Sequence, residues 1–70
     1  MMPLSMIDVG ETKEILREKG KDETRQFLEN LGFVEGSEVT VVSKISGNLI
    51  VHVKDSRVAI DQTMANRILV

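Results

Sequence analysis

Cysteine is absent from this sequence, and so are tryptophan and tyrosine. Without thiols the chain forms neither a disulfide nor a thiolate metal site, which fits a protein of a reducing compartment. His52 is the one histidine, so a metal site made by the protein alone would depend on carboxylates. Glu35 and Glu38 are close in sequence, but acids that flank a turn are normally solvated. We therefore predict no preformed metal site, and at most a weak surface site for a divalent ion.

The charge balance excludes a second group of functions. Nucleic-acid-binding proteins present a basic surface, and single strands stack on aromatic side chains. Here the net charge is −2 and the only aromatic residues of the Phe, Trp and Tyr group are two phenylalanines. No apolar run reaches the roughly 18 residues that span a membrane, and the start of the chain lacks the basic region of a signal peptide. We predict a single cytoplasmic domain over residues 1–70 that neither binds nucleic acid nor inserts into a membrane.

Arrangements of catalytic residues are also missing. Nucleophilic catalysis requires a base near a Ser, Thr or Cys, and a third group that orients the base. His52 lies between valines in a predicted strand, and the serines fall at strand ends and turns, where hydroxyl groups are normally structural. Residues 10–21 contain glycines and lysines but not the spacing of a phosphate-binding Walker loop. We predict that the protein is not an enzyme and has no catalytic or cofactor-binding residues.

What the sequence does contain is one short helix, predicted over about residues 22–31. Asp22 is the predicted N-cap, because its side chain can accept hydrogen bonds from the free amides of the first turn. Gly32 directly follows the last apolar residue and can take the left-handed conformation that ends a helix. Four residues recur at positions i, i+3, i+4 and i+7 and are expected to share the buried face: Thr24, Phe27, Leu28 and Leu31.

The residues after the helix predict how the chain turns back. With Gly32 as the first residue past the helix end, Phe33 contacts Leu28 in a Schellman motif. Gly36 then supplies the positive φ that a type II turn over residues 34–37 requires. Both phenylalanines belong to this segment, so we expect the core to form around the helix end, with Phe27 and Phe33 buried.

Alternating and β-branched residues predict strands in most of the remaining chain. Strands are expected over residues 37–45, 49–54, 57–60 and 68–70, with turns at Gly47 and at Asp55-Ser56. In the first of them Val39, Val41 and Ile45 share the inner face. Asp61 is expected to cap a helical turn. Residues 3–8 are predicted as a short strand or a single helical turn.

The segment from residue 11 to residue 29 is dense in charge. It carries six acidic and five basic residues, a mixture typical of a solvated face. Residues 12–17 are predicted to form a strand with Ile15 inward, although a helix competes there because Glu, Lys and Leu favour helices. About five short antiparallel strands with one inserted helix predict a mainly β, small SH3-like barrel, in which closure of the sheet removes exposed edges.

The outer faces of these strands have two interpretations. In the simpler one, His52 is a half-exposed strand residue that covers neighbouring apolar groups. In the functional one, Val42, Ile50 and His52, with Arg57 at the rim, bind a protein partner, because this face is more apolar than contact with solvent requires.

An ordered set of residues from Leu28 to Val70 resembles the FeoA family. The family pattern Leu-x-x-(Leu/Met)-Gly-(Leu/Phe)-x-x-Gly-x-x-Val is followed by a later glycine, an Ala-(Ile/Leu) pair, an alanine and a final Ile-x-Val. The matching residues are Leu28, Leu31, Gly32, Phe33, Gly36, Val39, Gly47, Ala59, Ile60, Ala65, Ile68 and Val70. Glu35 stands where proline is frequent, and Asp55 where glycine is frequent, so the second hairpin must adopt a conformation that Asp accepts.

The resemblance implies an SH3-like barrel of the cytosol with an accessory role in ferrous iron uptake. Its implied partner is FeoB, a membrane permease with a GTPase domain. Two alternatives stay open. One is a general SH3-like peptide binder, which the lack of an aromatic groove disfavours. The other is a weak Fe(II) sensor or delivery protein that uses His52.

Overall fold

Two antiparallel sheets and two helices make up the structure, a computed structural model that describes residues 1–70. The elements in chain order are a 3₁₀ turn (Leu4–Met6), β1 (Thr12–Glu14), β2 (Arg17–Glu18), α1 (Asp22–Asn30), β3 (Glu38–Ile45), β4 (Asn48–Val53), β5 (Ser56–Ile60), α2 (Gln62–Ala65) and β6 (Ile68–Leu69). The larger sheet has the order β1-β3-β4-β5, and β2 pairs with β6 in the smaller one. The predicted mainly β fold with one inserted helix is confirmed. The strand predicted over residues 12–17 is split in two, which gives six strands.

The end of α1 follows the predicted Schellman motif. The amide of Phe33 donates to the carbonyl of Leu28 at 3.0 Å, and the amide of Gly32 donates to that of Glu29 at 2.9 Å. Gly32 has a φ of 106°, a conformation that a residue with a Cβ rarely adopts. Two of the four orphan carbonyls of the last turn are thus satisfied, and Leu28 and Phe33 are fully buried.

Two predictions about the same helix were wrong. The N-cap is Lys21, and Asp22 is the first helical residue, with Oδ1 3.8 Å from Nη1 of Arg25. Phe27 is 50% exposed, whereas Leu28 is buried and Thr24 and Leu31 are partly buried. The reason is geometric. Thr24, Leu28 and Leu31 lie within about 60° of each other around the helix axis, and this face is turned to the core. Phe27 lies at the edge of that face, about 100° from the fully buried Leu28.

The three turns between the helix and β5 depend on left-handed residues. Gly36 has a φ of 89° and the amide of Ser37 donates to the carbonyl of Val34 at 3.0 Å, as predicted for the type II turn. Ser46 and Gly47 connect β3 to β4, with φ values of 50° and 85°. The next two-residue turn is Lys54-Asp55, with φ values of 51° and 61°, one residue earlier than predicted. Asp tolerates this region better than most residues.

A β-bulge changes the register of β3. Val41 pairs with Val51 and Ser43 pairs with Ile50, so Val42 has no partner of its own in β4. The extra residue reverses the alternation beyond it. Lys44 therefore opposes the buried Leu49, and Ile45 opposes Asn48 with 60% of its surface exposed. The prediction that Ile45 faces the core was wrong for this reason.

The core joins residues from all parts of the chain. Phe33 is its largest member. Leu4, Ile7 and Ile15 come from the first 15 residues of the chain, and Ile68 comes from β6. Asp61 caps α2 as predicted, accepting at Oδ1 from the amide of Met64 at 2.8 Å. Residues 4–6 form the helical turn that was one of the two predictions for the N-terminal segment. One charged side chain, that of Glu18, is buried with the apolar ones.

Candidate interaction surfaces

The outer surface of the larger sheet brings three of the four predicted partner-binding residues together. We call this surface the sheet face and define it by Val42, Ile50, His52, Arg57 and Ala59. His52 pairs with Arg57 across β4 and β5, and Ile50 pairs with Ala59 in the next row. Side chains two residues apart on a strand lie on the same face, so Ile50 and His52 are neighbours there. Val42 lies beside this row at the bulge.

The sheet face has a polar row and an apolar row. The polar row crosses all four strands through Thr12, Thr40, His52 and Arg57, and the two threonine hydroxyls hydrogen bond to each other at 2.7 Å. Ile50 and Val42 are half-buried, while His52 and Arg57 are exposed. The side chains of His52 and Arg57 form no hydrogen bond and no ion pair within the chain. Both therefore remain free to contact another molecule.

A second surface surrounds Glu18 on the other sheet. We call it the Glu18 cleft and define it by residues 16–20, Arg25 and Glu35, which line a space of about 570 Å³. Glu18 belongs to β2 and is only 5% exposed. Its Oε2 is buried without a hydrogen-bond partner. Buried polar groups in native proteins are nearly always paired, so this carboxyl group is an exception.

The environment of Glu18 favours its neutral form. Burial raises the pKa of this carboxyl group from 4.5 to about 7, and the negative charges of Glu29 and Glu35 act in the same direction. Arg25 lowers the pKa by a smaller amount. The guanidinium of Arg25 does not reach Glu18, because its nearest carboxylate is that of Asp22, 3.8 Å away.

Sequence reasoning missed Glu18 entirely. The charge-dense segment was predicted to be a solvated face, and most of its residues are exposed as expected. Continuous alternation from Ile15 would also have placed residue 17 inward, not residue 18. The break between β1 and β2 changes the phase, so that Ile15 and Glu18 are both buried. No local signal in the sequence marks this break.

The carboxylate and imidazole groups do not converge on a common point. No three side chains of the His, Cys, Asp and Glu type lie close enough to hold a metal ion together. Glu35 and Glu38, the pair weighed from the sequence, are both exposed. None of the helices has the length and the apolar composition needed to cross a membrane.

The comparisons with known proteins agree on one family. A family model described as FeoA domain matches residues 2–70. The structure is similar to the crystal structure of an iron uptake regulatory protein, FeoA, with a TM-score of 0.88 and 28% identity over 96% of this chain and 89% of that one. The search of curated protein sequences gave no match.

Two further solved structures are similar to this one. Stenotrophomonas maltophilia FeoA, solved with zinc and described as a prokaryotic SH3 domain protein, has a TM-score of 0.73 and 28% identity over 99% of this chain and 88% of that one. Iron(II) transport protein A from Clostridium thermocellum has a TM-score of 0.90 and 23% identity, over 97% of this chain and 43% of that one, and so shares the fold. The SH3-like fold predicted from the sequence is thereby confirmed.

Proposed function

This chain belongs to the FeoA family, which is associated with ferrous iron transport, and we propose that it is a non-enzymatic accessory module that binds a FeoB-type GTPase-permease. In this proposal the sheet face is the contact surface and the complex forms on the cytoplasmic side of the membrane. FeoA proteins are accessory iron-transport proteins and not a known family of enzymes. An accessory role implies a partner that carries the ion.

The apolar row of the sheet face is the observation that carries this assignment. Ile50 lies in the four-stranded sheet between Ser43 on β3 and Ala59 on β5, and Val42 is next to Ser43 at the bulge. Apolar side chains surrounded by polar ones are typical of the centre and the rim of an interface. Arg57 supplies a positive charge at this rim, so the complementary surface of FeoB is expected to carry carboxylates around an apolar patch.

The size of the sheet face predicts a transient complex. The whole molecule measures 28 by 23 by 22 Å, so one face offers about 600 Å² to a partner. Stable interfaces bury about 800 Å² on each side. Small interfaces are typical of transient complexes, so we expect a contact that forms and breaks during transport. To bias FeoB between two states, the module must bind one of them more tightly than the other.

Two substitutions on the sheet face test the proposal. Val42→Ser and Ile50→Ser remove the apolar row, and we expect each to weaken binding to detergent-solubilised FeoB at least about tenfold, or roughly 1.4 kcal/mol. Isothermal titration calorimetry measures the affinity. Val34→Ser is the control, since Val34 is a valine of 40% exposure that lies in the turn after α1, away from the sheet face. Unchanged affinity in both sheet-face variants would remove this surface as the FeoB contact.

Peptide recognition in the manner of SH3 domains is less well supported. Phe27, contrary to the prediction, is exposed, but it is a single aromatic side chain on a helix among charged neighbours. Proline-rich peptides bind to grooves lined by several aromatic residues. A titration with PxxP peptides that shifts no backbone amide would exclude this function.

Direct metal binding is a second candidate, and the zinc complex of S. maltophilia FeoA is the observation that favours it. In the present chain His52 is the one imidazole and is exposed on β4. Any site for Fe(II) would combine it with solvent and a few carboxylates, and would be weak. Anaerobic calorimetry with Fe(II), before and after His52→Ala, tests this function. Binding that survives His52→Ala would place the ion elsewhere.

A further inference from the structure

The outer edge of β5 ends the larger sheet without a neighbouring strand. The strand order is β1-β3-β4-β5, and β2 and β6 form a separate sheet. The closure that removes edges in a barrel therefore does not extend to β5. An open edge presents a row of unpaired amide and carbonyl groups, to which a further strand can pair.

The hairpin between β4 and β5 determines which backbone groups point outward. Its two-residue turn, Lys54-Asp55, has positive φ at both positions, and in such a hairpin the flanking Val53 and Ser56 exchange hydrogen bonds. Pairing alternates along β5, so the backbone groups of Arg57 and Ala59 point away from β4. None of the backbone hydrogen bonds outside the sheets involves these two residues, and both are exposed. The edge thus offers two free amides and two free carbonyls.

The features that protect natural sheet edges are sparse on β5. Such edges carry proline, several charges or a bulge, or are very short. β5 contains no proline, pairs with β4 without a bulge, and has Arg57 as its one charged residue. The opposite edge strand, β1, is three residues long, and Lys13 and Glu14 are both charged. Of the two edges, β5 is the one open to strand pairing.

The sequence of β5 is complementary to a second copy of itself. When two copies pair antiparallel about a two-fold axis at Val58, Arg57 of each lies opposite Ala59 of the other, and every outward amide meets an outward carbonyl. On the inner face the half-buried Val58 meets its own copy in a β-branched pair. A shift of two residues in one direction places the two Arg57 side chains opposite each other. A shift in the other direction requires the carbonyl of Asp61, which already accepts from the amide of Ala65 at 3.0 Å.

We propose that two copies of this chain pair through the outer edges of β5, antiparallel and in register about Val58. The four strands of each copy then form one continuous sheet, in which the two sheet faces lie side by side. Backbone hydrogen bonds supply most of the attraction, as in other cases of strand addition, so the dimer is weak and depends on protein concentration. The inference rests on β5 alone and holds whether or not the sheet face binds FeoB.

Sedimentation equilibrium of the full chain over a range of concentrations tests for this dimer. We expect monomers at low concentration and dimers at high concentration. Ala59→Pro removes an outward amide but no hydrogen bond to β4, and proline is tolerated on an edge strand in this orientation. By symmetry the dimer loses two hydrogen bonds, so its dissociation constant is expected to rise at least about tenfold.

Glu14→Pro is the matched control at the opposite edge of the same sheet. The carbonyl of Glu11 accepts from the amide of Val41 at 3.1 Å, on β3. The amide of Ile15 donates to the carbonyl of Ser37 at 2.8 Å. Because backbone direction alternates along a strand, the amide of Glu14 points away from β3. We expect this variant to leave the dissociation constant of the dimer within about twofold.

Two charge substitutions at Ala59 test the register, and they do not depend on whether the proline variant folds. Ala59→Glu places a carboxylate opposite Arg57 of the second copy and is expected to tighten the dimer about two- to tenfold. Ala59→Lys places a second cation there and is expected to weaken the dimer by a similar factor. Ala59 is exposed on the outer face, so both variants are expected to fold as the wild type does.

Several results would overturn the proposal. A wild-type chain that stays monomeric at every concentration is one of them. Another is a dimer that Ala59→Pro and Glu14→Pro weaken equally, or that Ala59→Glu and Ala59→Lys change in the same direction. If the wild type stayed monomeric while Ala59→Pro weakened the binding of FeoB, the edge would pair with that partner and the self-pairing would be wrong.

Discussion

The sheet face and the Glu18 cleft are two surfaces of one small protein, and they differ in whether their polar groups are solvated and hydrogen bonded. On the sheet face, polar groups are exposed or paired with each other, as Thr12 and Thr40 are, and two aliphatic side chains are half-buried between them. In the cleft, an acid is buried with an oxygen that accepts no hydrogen bond. The sheet face lowers the stability of the fold little, whereas the cleft contains a buried carboxyl group that destabilises it.

This difference separates two kinds of evidence for function. The residues of a solvated face can be replaced without disturbing the core. Only the types of residue on such a face can therefore indicate a binding role. A buried, unpaired acid indicates a role because it lowers the free energy of unfolding, which a neutral side chain of the same size at that position would not do.

The largest effect is expected at the two phenylalanines, which the structure distinguishes and the sequence did not. Phe33→Ala empties the centre of the core and should lower the free energy of unfolding by about 3–5 kcal/mol. Phe27→Ala removes a side chain that is 50% exposed and should change it by less than about 0.5 kcal/mol. Urea denaturation followed by circular dichroism measures both. Similar losses in the two variants would contradict the packing of α1 described above.

The next effect concerns the dependence of stability on pH. Because burial raises the pKa of Glu18 from 4.5 to about 7 in the folded state, the folded chain holds this proton more tightly than the unfolded chain does. The stabilisation that protonation gives is full below about pH 4.5 and is lost as the pH rises through 7. Glu18→Gln should therefore match the wild type near pH 4. At pH 8 we expect it to be more stable by about 1–2 kcal/mol, after allowance for solvent in the open cleft.

Urea midpoints of both proteins at the two pH values provide the measurement. Contributions from the other carboxylates cancel in the difference between variant and wild type. Glu14→Gln serves as the control and should show no such change. A Glu18→Gln protein with the same stability difference at pH 4 and pH 8 would show that the carboxyl group is solvated or paired in solution, and would erase the contrast between the two surfaces.

The smallest effect is expected at the rim of the sheet face. Arg57→Ala should weaken binding to FeoB only about two- to fivefold and reduce the dependence of the association rate on salt, since rim charges act mainly on encounter. Stability should change by less than about 0.5 kcal/mol. Lys21→Ala, which removes an exposed cation at the start of α1 outside both surfaces, is the control. Equal effects from both variants would indicate general attraction between charges and not a defined contact.

Features determined by neighbouring residues could be predicted from the sequence. The glycine stop at Gly32, the contact between Phe33 and Leu28, the turn at Gly36 and the cap at Asp61 each depend on a few consecutive side chains. Strands β3, β4 and β5 of the larger sheet followed from alternating and β-branched residues. The family pattern added the SH3-like topology and the expectation that the second hairpin adopts a conformation that Asp55 accepts; its φ is 61°.

Features determined by distant parts of the chain could not be predicted. The bulge at Val42 reverses the faces of Lys44 and Ile45, and the side chain of Lys44 instead donates to the carbonyl of Ser5 at 3.1 Å. The break between β1 and β2 buries Glu18 for a similar reason. In both cases alternation is correct on each side of an irregularity that only the packed structure reveals.

The most direct test of the account is a map of the FeoB contact on the intact protein. Backbone amide spectra of the ¹⁵N-labelled chain are recorded with and without the soluble cytoplasmic GTPase domain of FeoB, which is a fragment of the permease. We predict that signals shift or broaden at residues 40–43, 50–52 and 57–59, the strands that carry the sheet face. Binding that leaves these signals unchanged and perturbs other residues instead would contradict the assignment of the sheet face.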